Sequence, residues 1–491
     1  MLKLQQPDSL YIGGEWVRAS DKEAVINPAD ESVIAEAPVG RAAAISDAIG
    51  IAYDAFHNGP WRRMAVTERQ SKLTEFLDAI DRRKAEIVEL IIAEAGSTRM
   101  LADFLQFGIP MKHARKTVEI ASRPAMSSLP VELTPNAQGG KTLGTGVVSR
   151  EPVGVVSAIT PYNFPFFLNI GKIIPALATG CSVVLKPSPY TPIEALFLGE
   201  IANEVGLPKG VLNIVTGDIE ASKLLTTDKR IDLIHFTGSD KVGAMIQAQA
   251  SHNLTRCVME LGGKSALIVR PDADLLQAAQ AGLGGFVTHC GQGCALLTRH
   301  LVHNSVKDQY VEMLRGMLSH VKIGNPQDPS VSFGPLIREV ARTRTESFVE
   351  SAYADGAKLV SGGKRPDGFD KGFFYEPTLF VDVRSDSRLA QEEVFGPIGA
   401  VMGFDSDDEA IAIANNSDFG LSGGIFSADA GTAFEMALQL RTGGVSINGG
   451  AGTMQSEAPF GGIKRSGYGR EYGVDGLNEF TYQKTISFHG A

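Results

Sequence analysis

The sequence predicts an α/β protein built on a doubly wound parallel sheet, and three observations carry that prediction. From Val153 onward, short runs rich in valine and isoleucine alternate with longer amphipathic runs. Those short runs lack a polar face, as expected of strands buried on both sides and joined by helices. Finally, 491 residues exceed what one hydrophobic core serves, so roughly two to four domains are expected.

Taken in order, residues 45 to 120 read as mostly helical, with Arg62, Arg63, Glu68, Arg69, Asp81, Arg82, Arg83 and Lys84 suited to a solvated face. Val153 to Thr160 reads as a strand, Pro165 to Thr179 as a helix, Cys181 to Lys186 as a strand, Pro192 to Val205 as a helix and Val211 to Thr216 as a strand. The beat continues through a strand over Ile231 to Thr237, a helix from about Ser239 to Ser251, and strands near Cys257 to Glu260 and Ala266 to Val269. Ligands of such sheets bind beyond the carboxyl ends of the strands. A second α/β series follows Cys294, with strand candidates His300 to His303, Tyr375 to Val383, Ile398 to Phe404, Leu421 to Phe426 and Val445 to Asn448. Near the end, Phe480, Tyr482, Lys484, Ile486 and Phe488 share one face of an alternating strand. A lone strand of this kind needs a partner, for which a neighbouring subunit's sheet edge is the expectation.

Composition narrows the function classes. Hydrophobic residues make up 43% and charged residues 21% of the chain, as in a soluble globular protein. The net charge of −10 comes from 56 acidic and 46 basic residues spread along the sequence, which argues against a nucleic-acid or anionic-membrane surface. The most apolar stretch, Val153 to Leu185, is interrupted by Pro161, Pro165, Lys172 and Pro175, so it reads as buried core rather than a membrane helix. Four cysteines, at 181, 257, 290 and 294, are too few for a disulfide framework. The first residues lack the features of a signal peptide, and the cytoplasm is the expected compartment.

Cys294 sits in Gly291-Gln292-Gly293-Cys294, downstream of Glu260-Leu261-Gly262-Gly263-Lys264-Ser265. Together these segments offer a thiol nucleophile and a carboxylate base, and a thiol used for attack needs a local charge or base. Asn163, in the turn Thr160-Pro161-Tyr162-Asn163-Phe164-Pro165, serves either local backbone groups or, if it faces the thiol, an oxyanion. Lys186-Pro187-Ser188 ends a strand where a lysine suits phosphate or ribose, and Glu393 with Phe395 offers a carboxylate and an aromatic ring for a second sugar. Phe236-Thr237-Gly238-Ser239-Asp240-Lys241-Val242-Gly243 ends a strand and opens a helix whose amino end favours an anion. In it Gly238 would make the turn, and Gly243 would permit close helix packing. Gly263-Lys264-Ser265 lacks the earlier glycine of an ATP-binding loop. His289, Cys290 and Cys294 have no second Cys/His pair at usable spacing, so no metal is expected, and Cys290 reads as a packing residue.

These segments, with Pro459-Phe460-Gly461-Gly462, stand in the order found in the aldehyde dehydrogenase superfamily, which the chain resembles over nearly its whole length. The resemblance implies a Rossmann-like cofactor domain over 1–128 and 150–260, an α/β catalytic domain over 261–477, and a small β oligomerisation element over 129–149 and 478–491. It implies a nucleophile at Cys294, a water-activating base at Glu260 and an oxyanion donor at Asn163. It further implies a dinucleotide, NAD or NADP with NAD slightly favoured, held by Ile159, Thr160, Pro161, Tyr162, Lys186, Ser188, Pro189, Gly217, Gly238, Ser239, Val242, Leu261, Gly262, Glu393 and Phe395. Phe164, Phe167, Leu168 and Met454 are the expected channel residues, for a small uncharged aldehyde, in a homodimer or homotetramer.

The chain departs from the family pattern in three places. Tyr162 stands where many members carry tryptophan, which preserves an aromatic wall. Pro189 stands where NAD-preferring members often carry a glutamate, which leaves NADP open. Gly171 and Thr288 stand near positions where members acting on succinate semialdehyde carry arginines, so no clamp for a substrate carboxylate is visible. A base at Glu260 argues against a CoA-acylating enzyme. A redox sensor pairing Cys290 with Cys294 is the non-enzymatic alternative.

Overall fold

In the computed structural model, which describes residues 4–123, 125–450 and 452–489, two large sheets meet end to end. The first has eight strands in the order Glu15–Arg18, Ser9–Ile12, Leu212–Ile214, Ser182–Lys186, Val155–Ile159, Leu233–Thr237, Arg256–Glu260 and Gly467–Tyr468. The central five run parallel, and the outer strands are antiparallel to their neighbours. The chain enters at Val155–Ile159, builds outward on one side, then returns to build on the other. The order therefore reverses between Val155–Ile159 and Leu233–Thr237, the kind of switch point where a doubly wound sheet opens a crevice.

The second sheet runs Lys358–Ser361, Thr378–Val381, Ile398–Phe404, Arg299–His303, Ala266–Val269, Ser422–Phe426 and Gly444–Ile447, parallel except at the Lys358–Ser361 edge. The central strands of both sheets are buried along their length, which is why they read as unbroken apolar runs. Helix Pro165–Thr179 starts with proline at its first position and stops at Gly180, whose φ of 101° few other residues tolerate. Helix Ile193–Glu204 is buried from Ile193 through Ala202, with even Glu194 inside.

The structure corrects the reading at both ends. Strands Ser9–Ile12, Glu15–Arg18, Asp21–Ile26 and Val33–Val39 were not foreseen, because they are short, and most of Glu15–Arg18 and Asp21–Ile26 is exposed and polar. The strand Thr481–His489 finds its partner within its own chain. It pairs with Lys141–Pro152 from Thr481 opposite Pro152 to His489 opposite Gly144. Met126–Ser128 and Glu132–Pro135 join the same small sheet. Met126, Leu133, Leu143, Tyr482, Ile486 and Phe488 are exposed on it. No helix among the described residues is long and apolar enough to cross a membrane.

Candidate active site

Strands Arg256–Glu260 and Ala266–Val269 are consecutive in the chain but belong to different sheets. The crossing segment, Leu261 to Ser265, sets the carboxyl end of the first sheet against the amino end of the second. Glu260 closes its strand there. Cys294 lies in the loop before Arg299–His303, Glu393 and Phe395 lie before Ile398–Phe404, and Asn163 lies in the turn after Val155–Ile159.

Close main-chain approach draws these groups together. A side chain on Gly263 would overlap the carbonyl oxygen of Cys294, and one on Gly262 would overlap the carboxylate of Glu393. Gly263 N–H donates to Glu393 Oε1 at 2.9 Å. Asn163, 3% exposed, donates from Nδ2 to the Gln292 carbonyl at 2.9 Å. Its Oδ1 has no partner among the described residues. Gln292, fully buried, in turn donates to the His289 carbonyl at 3.1 Å and accepts from Ile337 N–H at 3.0 Å. The loop so fastened turns through three consecutive left-handed residues, His289, Cys290 and Gly291. The two that carry side chains store strain on the order of 1–3 kcal/mol each. Cys290 is buried in the core of the second sheet, in line with a packing role.

The electrostatics are those of a buried acidic site. Glu260 is 2% exposed, and neither of its oxygens has a partner among the described residues. Burial pushes its carboxyl well above the ordinary range, and the Glu471 charge adds to the effect, against Lys172 and Arg470. The Cys294 thiol is pushed up by burial first, then by Glu393, Glu260 and Glu471. Glu393 is raised to about 7 by burial, with Gly263 N–H and Lys264 opposing.

Beyond Glu260 lies a group the sequence reading missed. Lys172 Nζ sits 2.7 Å from Glu471 Oε1 and 2.6 Å from His235 Nδ1, all three side chains being 0–2% exposed. Burial, then the Lys172 charge, hold His235 far below its usual pKa, so it is neutral and accepts from the ammonium. The only local signal was a single lysine inside an apolar helix, read above merely as an interruption. Lys264 was weighed above only as part of an ATP-binding loop: its buried Nζ has no partner among the described residues, and burial with Arg299 lowers it to about 7.

The expected cofactor residues other than Glu393 and Phe395 lie at the carboxyl ends of the five parallel strands. Ile159 to Tyr162 follow the first, Lys186 to Pro189 the second, Gly217 the third, Gly238 to Val242 the fourth, and Leu261 with Gly262 the fifth. Tyr162 meets Phe395 edge-on at 6.0 Å and Tyr190 at 5.7 Å. Ser239 caps helix Asp240–Ala250 by accepting from Val242 N–H, and Gly243 gives the close packing foreseen, against Leu261. Gly238 sits in the bend between strand Leu233–Thr237 and helix Asp240–Ala250, the turn foreseen for it, and a side chain there would strike the Phe236 ring. Two side chains point elsewhere. Thr160 Oγ1 donates to Asn169, and Ser188 Oγ accepts from Tyr190 N–H. Pro189 is exposed.

Of the expected channel residues, Phe164 lies 5.3 Å from the His289 ring and 6.5 Å from Phe167, and Phe167 lies 5.9 Å from Tyr472. Leu168 is half-buried, and Met454 is 41% exposed. Tyr472 and its neighbour His113 were not anticipated.

The family model described as aldehyde dehydrogenase family matches residues 16–486. A putative aldehyde dehydrogenase of Staphylococcus aureus is 36% identical over 481 residues, spanning 97% of this chain and 98% of the relative. The crystal structure of betaine aldehyde dehydrogenase from Staphylococcus aureus with NAD+ superposes with a TM-score of 0.92 at 35% identity, covering 98% of this chain and 95% of that one. Aldehyde dehydrogenase of Mycobacterium tuberculosis with NAD+ gives 0.91 at 38% identity, covering 98% and 97%. A cysteine-to-alanine mutant of aldehyde dehydrogenase C from Pseudomonas syringae, with NAD+ and octanal, gives 0.92 at 33% identity, covering 99% and 98%.

Replacing Lys172 by methionine removes the cation from a buried pair and leaves Glu471 uncompensated. Denaturant titration is expected to show a loss of about 3–5 kcal/mol; an unchanged midpoint would show that the pair carries no net stability.

Proposed function

The chain belongs to the aldehyde dehydrogenase family, and we propose that it oxidises an uncharged aldehyde, aliphatic or aromatic, to the carboxylic acid with NAD or NADP by way of a thioester on Cys294. The observation that supports this reading is the convergence of Cys294, Glu260 and the Asn163 turn at one junction between two sheets.

The crevice fits a dinucleotide on its own chemistry. Gly238 and Ser239 open helix Asp240–Ala250, where main-chain N–H groups favour a pyrophosphate. Lys186, largely buried and, among the described residues, hydrogen-bonded only at 3.5 Å to the Pro187 carbonyl, suits the adenosine ribose. Glu393, anchored by Gly263 N–H, suits the nicotinamide ribose, with Tyr162 and Phe395 as walls. Thr160 and Ser188 contribute main chain, their hydroxyls being engaged elsewhere. Pro189 brings no carboxylate to repel a 2′-phosphate, whereas the relatives named above were crystallised with NAD+. NAD is slightly favoured on that ground.

The Cys294 thiol gives its proton to Glu260, which passes it to solvent, as the sulfur attacks the aldehyde carbon, and the oxygen that becomes negative is held by the Cys294 N–H and the second amide N–H of Asn163. Each such donor is worth about 2.7–4 kcal/mol in comparable sites. A dinucleotide held in the crevice would supply the acceptor for the hydride that leaves this carbon as the carbonyl re-forms and a thioester remains. Glu260 then takes a proton from water as its oxygen bonds to the thioester carbon, and the carbon–sulfur bond breaks to release the acid. A base poised for water serves hydrolysis rather than transfer to CoA. The thiol needs this surrounding chemistry, because three carboxylates and burial otherwise hold it protonated.

The division of labour follows the three parts expected from sequence: cofactor binding by 1–128 with 150–260, catalysis by 261–477, and assembly by 129–149 with 478–491. The exposed apolar face around Tyr482, Ile486 and Leu133 supports a homodimer or homotetramer. A cytoplasmic enzyme without nucleic-acid or membrane partners completes the reading.

Cys294→Ala is expected to abolish aldehyde-dependent NAD(P)H formation, and undiminished turnover would refute the assignment. Glu260→Gln is expected to give one burst of NAD(P)H followed by stalling on the acyl-enzyme. Because burial raises the Glu260 carboxyl, its base form grows as pH rises, and wild-type steady turnover should climb along a limb displaced above the ordinary carboxylate range. A profile that is flat across that range, or the same limb in Glu260→Gln, would remove Glu260 as the base.

A further inference from the structure

Phe164 and Phe167 continue into two rings that lie far from them in sequence. Tyr472 stands 5.9 Å from Phe167, and His113 stands 4.5 Å from Tyr472 and 5.9 Å from Phe167. The wall of rings thus runs from the Cys294 loop at His289 to His113 on helix Ile109–Ala121. At its far end Pro110, His113, Gly171 and Tyr472 line a cavity with room for a single water-sized group.

That cavity is lined by polar atoms without partners. Tyr472 Oη is buried without a hydrogen-bond partner among the described residues, and the buried ring nitrogens of His113 have no well-formed hydrogen bond there, the Met454 main chain being the polar group near them. Buried polar groups are seldom left unpaired, and each costs about 1–3 kcal/mol when they are. Tyr472 is also held in a strained main-chain conformation, φ 62° and ψ 165°, a region that is nearly the preserve of glycine. Hydrogen bonds between Glu471 and Phe460 on one side, and from Gly476 to the Tyr472 carbonyl on the other, keep it there. Gly171 makes room, since a side chain on it would come 3.1 Å from the phenol oxygen.

Resting on the aldehyde dehydrogenase reading, we propose that Tyr472 and His113 are specificity-determining residues, selecting aldehydes that carry an uncharged hydrogen-bonding group, a hydroxyl above all, at the end remote from the reacting carbonyl. The phenol and the imidazole together present donors and an acceptor to such a group. Both are neutral near pH 7: burial lowers His113 to about 4 and raises the phenol, with Glu471 adding to the effect. Among the described residues, a carboxylate placed there meets no unengaged buried cation. Lys172, next to Gly171 in the chain, is buried but engaged by Glu471, and the exposed Lys112, whose charge is felt at His113, lies at the Met454 carbonyl.

The test compares kcat/KM for 3-hydroxybenzaldehyde, its near-isostere 3-methylbenzaldehyde and the charged 3-carboxybenzaldehyde, with hexanal as a reference for the activity alone. The wild type is expected to favour the hydroxyl compound over the methyl compound by about tenfold or more, and to handle the carboxylate worst. In Tyr472→Phe the hydroxyl-to-methyl ratio should fall to about threefold or less. It should also fall in His113→Leu and be largely kept in His113→Gln, which retains hydrogen bonding. A wild-type ratio near one, a ratio unmoved by Tyr472→Phe, or turnover of hexanal without turnover of either neutral benzaldehyde would overturn this inference alone. Failure to oxidise any of the four with NAD or NADP would overturn the proposed function and this inference with it.

Discussion

The approach of the main chain at Gly263 to the main chain at Cys294 governs the rest of the site. No side chain fits between them, so the crossing from the first sheet to the second can pass only as glycine. Glu260 is fixed by the strand on one side of that crossing and Lys264 by the strand on the other. Glu393 then docks on the Gly263 N–H, and the Asn163 amide ties the first sheet's opening turn to the Cys294 loop. Two sheets that each fold on their own apolar logic are thereby held in one register, with the reacting groups at the seam.

The seam is unusual in how much charge it conceals. Glu260, Glu393 and Glu471 crowd one thiol, against which stand two buried lysines, Lys172 paired with Glu471 and Lys264 near Glu393. In such surroundings the protonation of each carboxyl depends on its neighbours, so acid and base roles come from placement rather than from residue type. His235 matters in this respect: as a neutral acceptor it lets Lys172 stay buried without a second carboxylate.

What could be read in sequence divides along a physical line. Ala266–Val269 and Ile398–Phe404 stand out because a strand buried on both faces writes its whole length in apolar residues. Cys294, Glu260 and Asn163 stand out because each lies in a short segment with glycines or prolines dictated by local backbone. The strands from Ser9 to Val39 escaped, since a short exposed strand has no such signature, and Thr481–His489 showed its faces but not its partner. Tyr472, His113 and the Lys172–Glu471 pair were illegible for another reason. Their meaning lies wholly in contacts across the fold, and neither partner marks the other.

One of those contacts has a bearing on how the molecule is made. Glu471 reaches Lys172 from 299 positions farther along the chain. Until that late segment is synthesised and docks, helix Pro165–Thr179 holds a charge it cannot bury, so the cofactor crevice cannot settle into its final packing around Glu260. Cys294 and Glu260, the proposed nucleophile and base, are thus both present on a nascent chain before the segment around Glu471 that tunes them has been made.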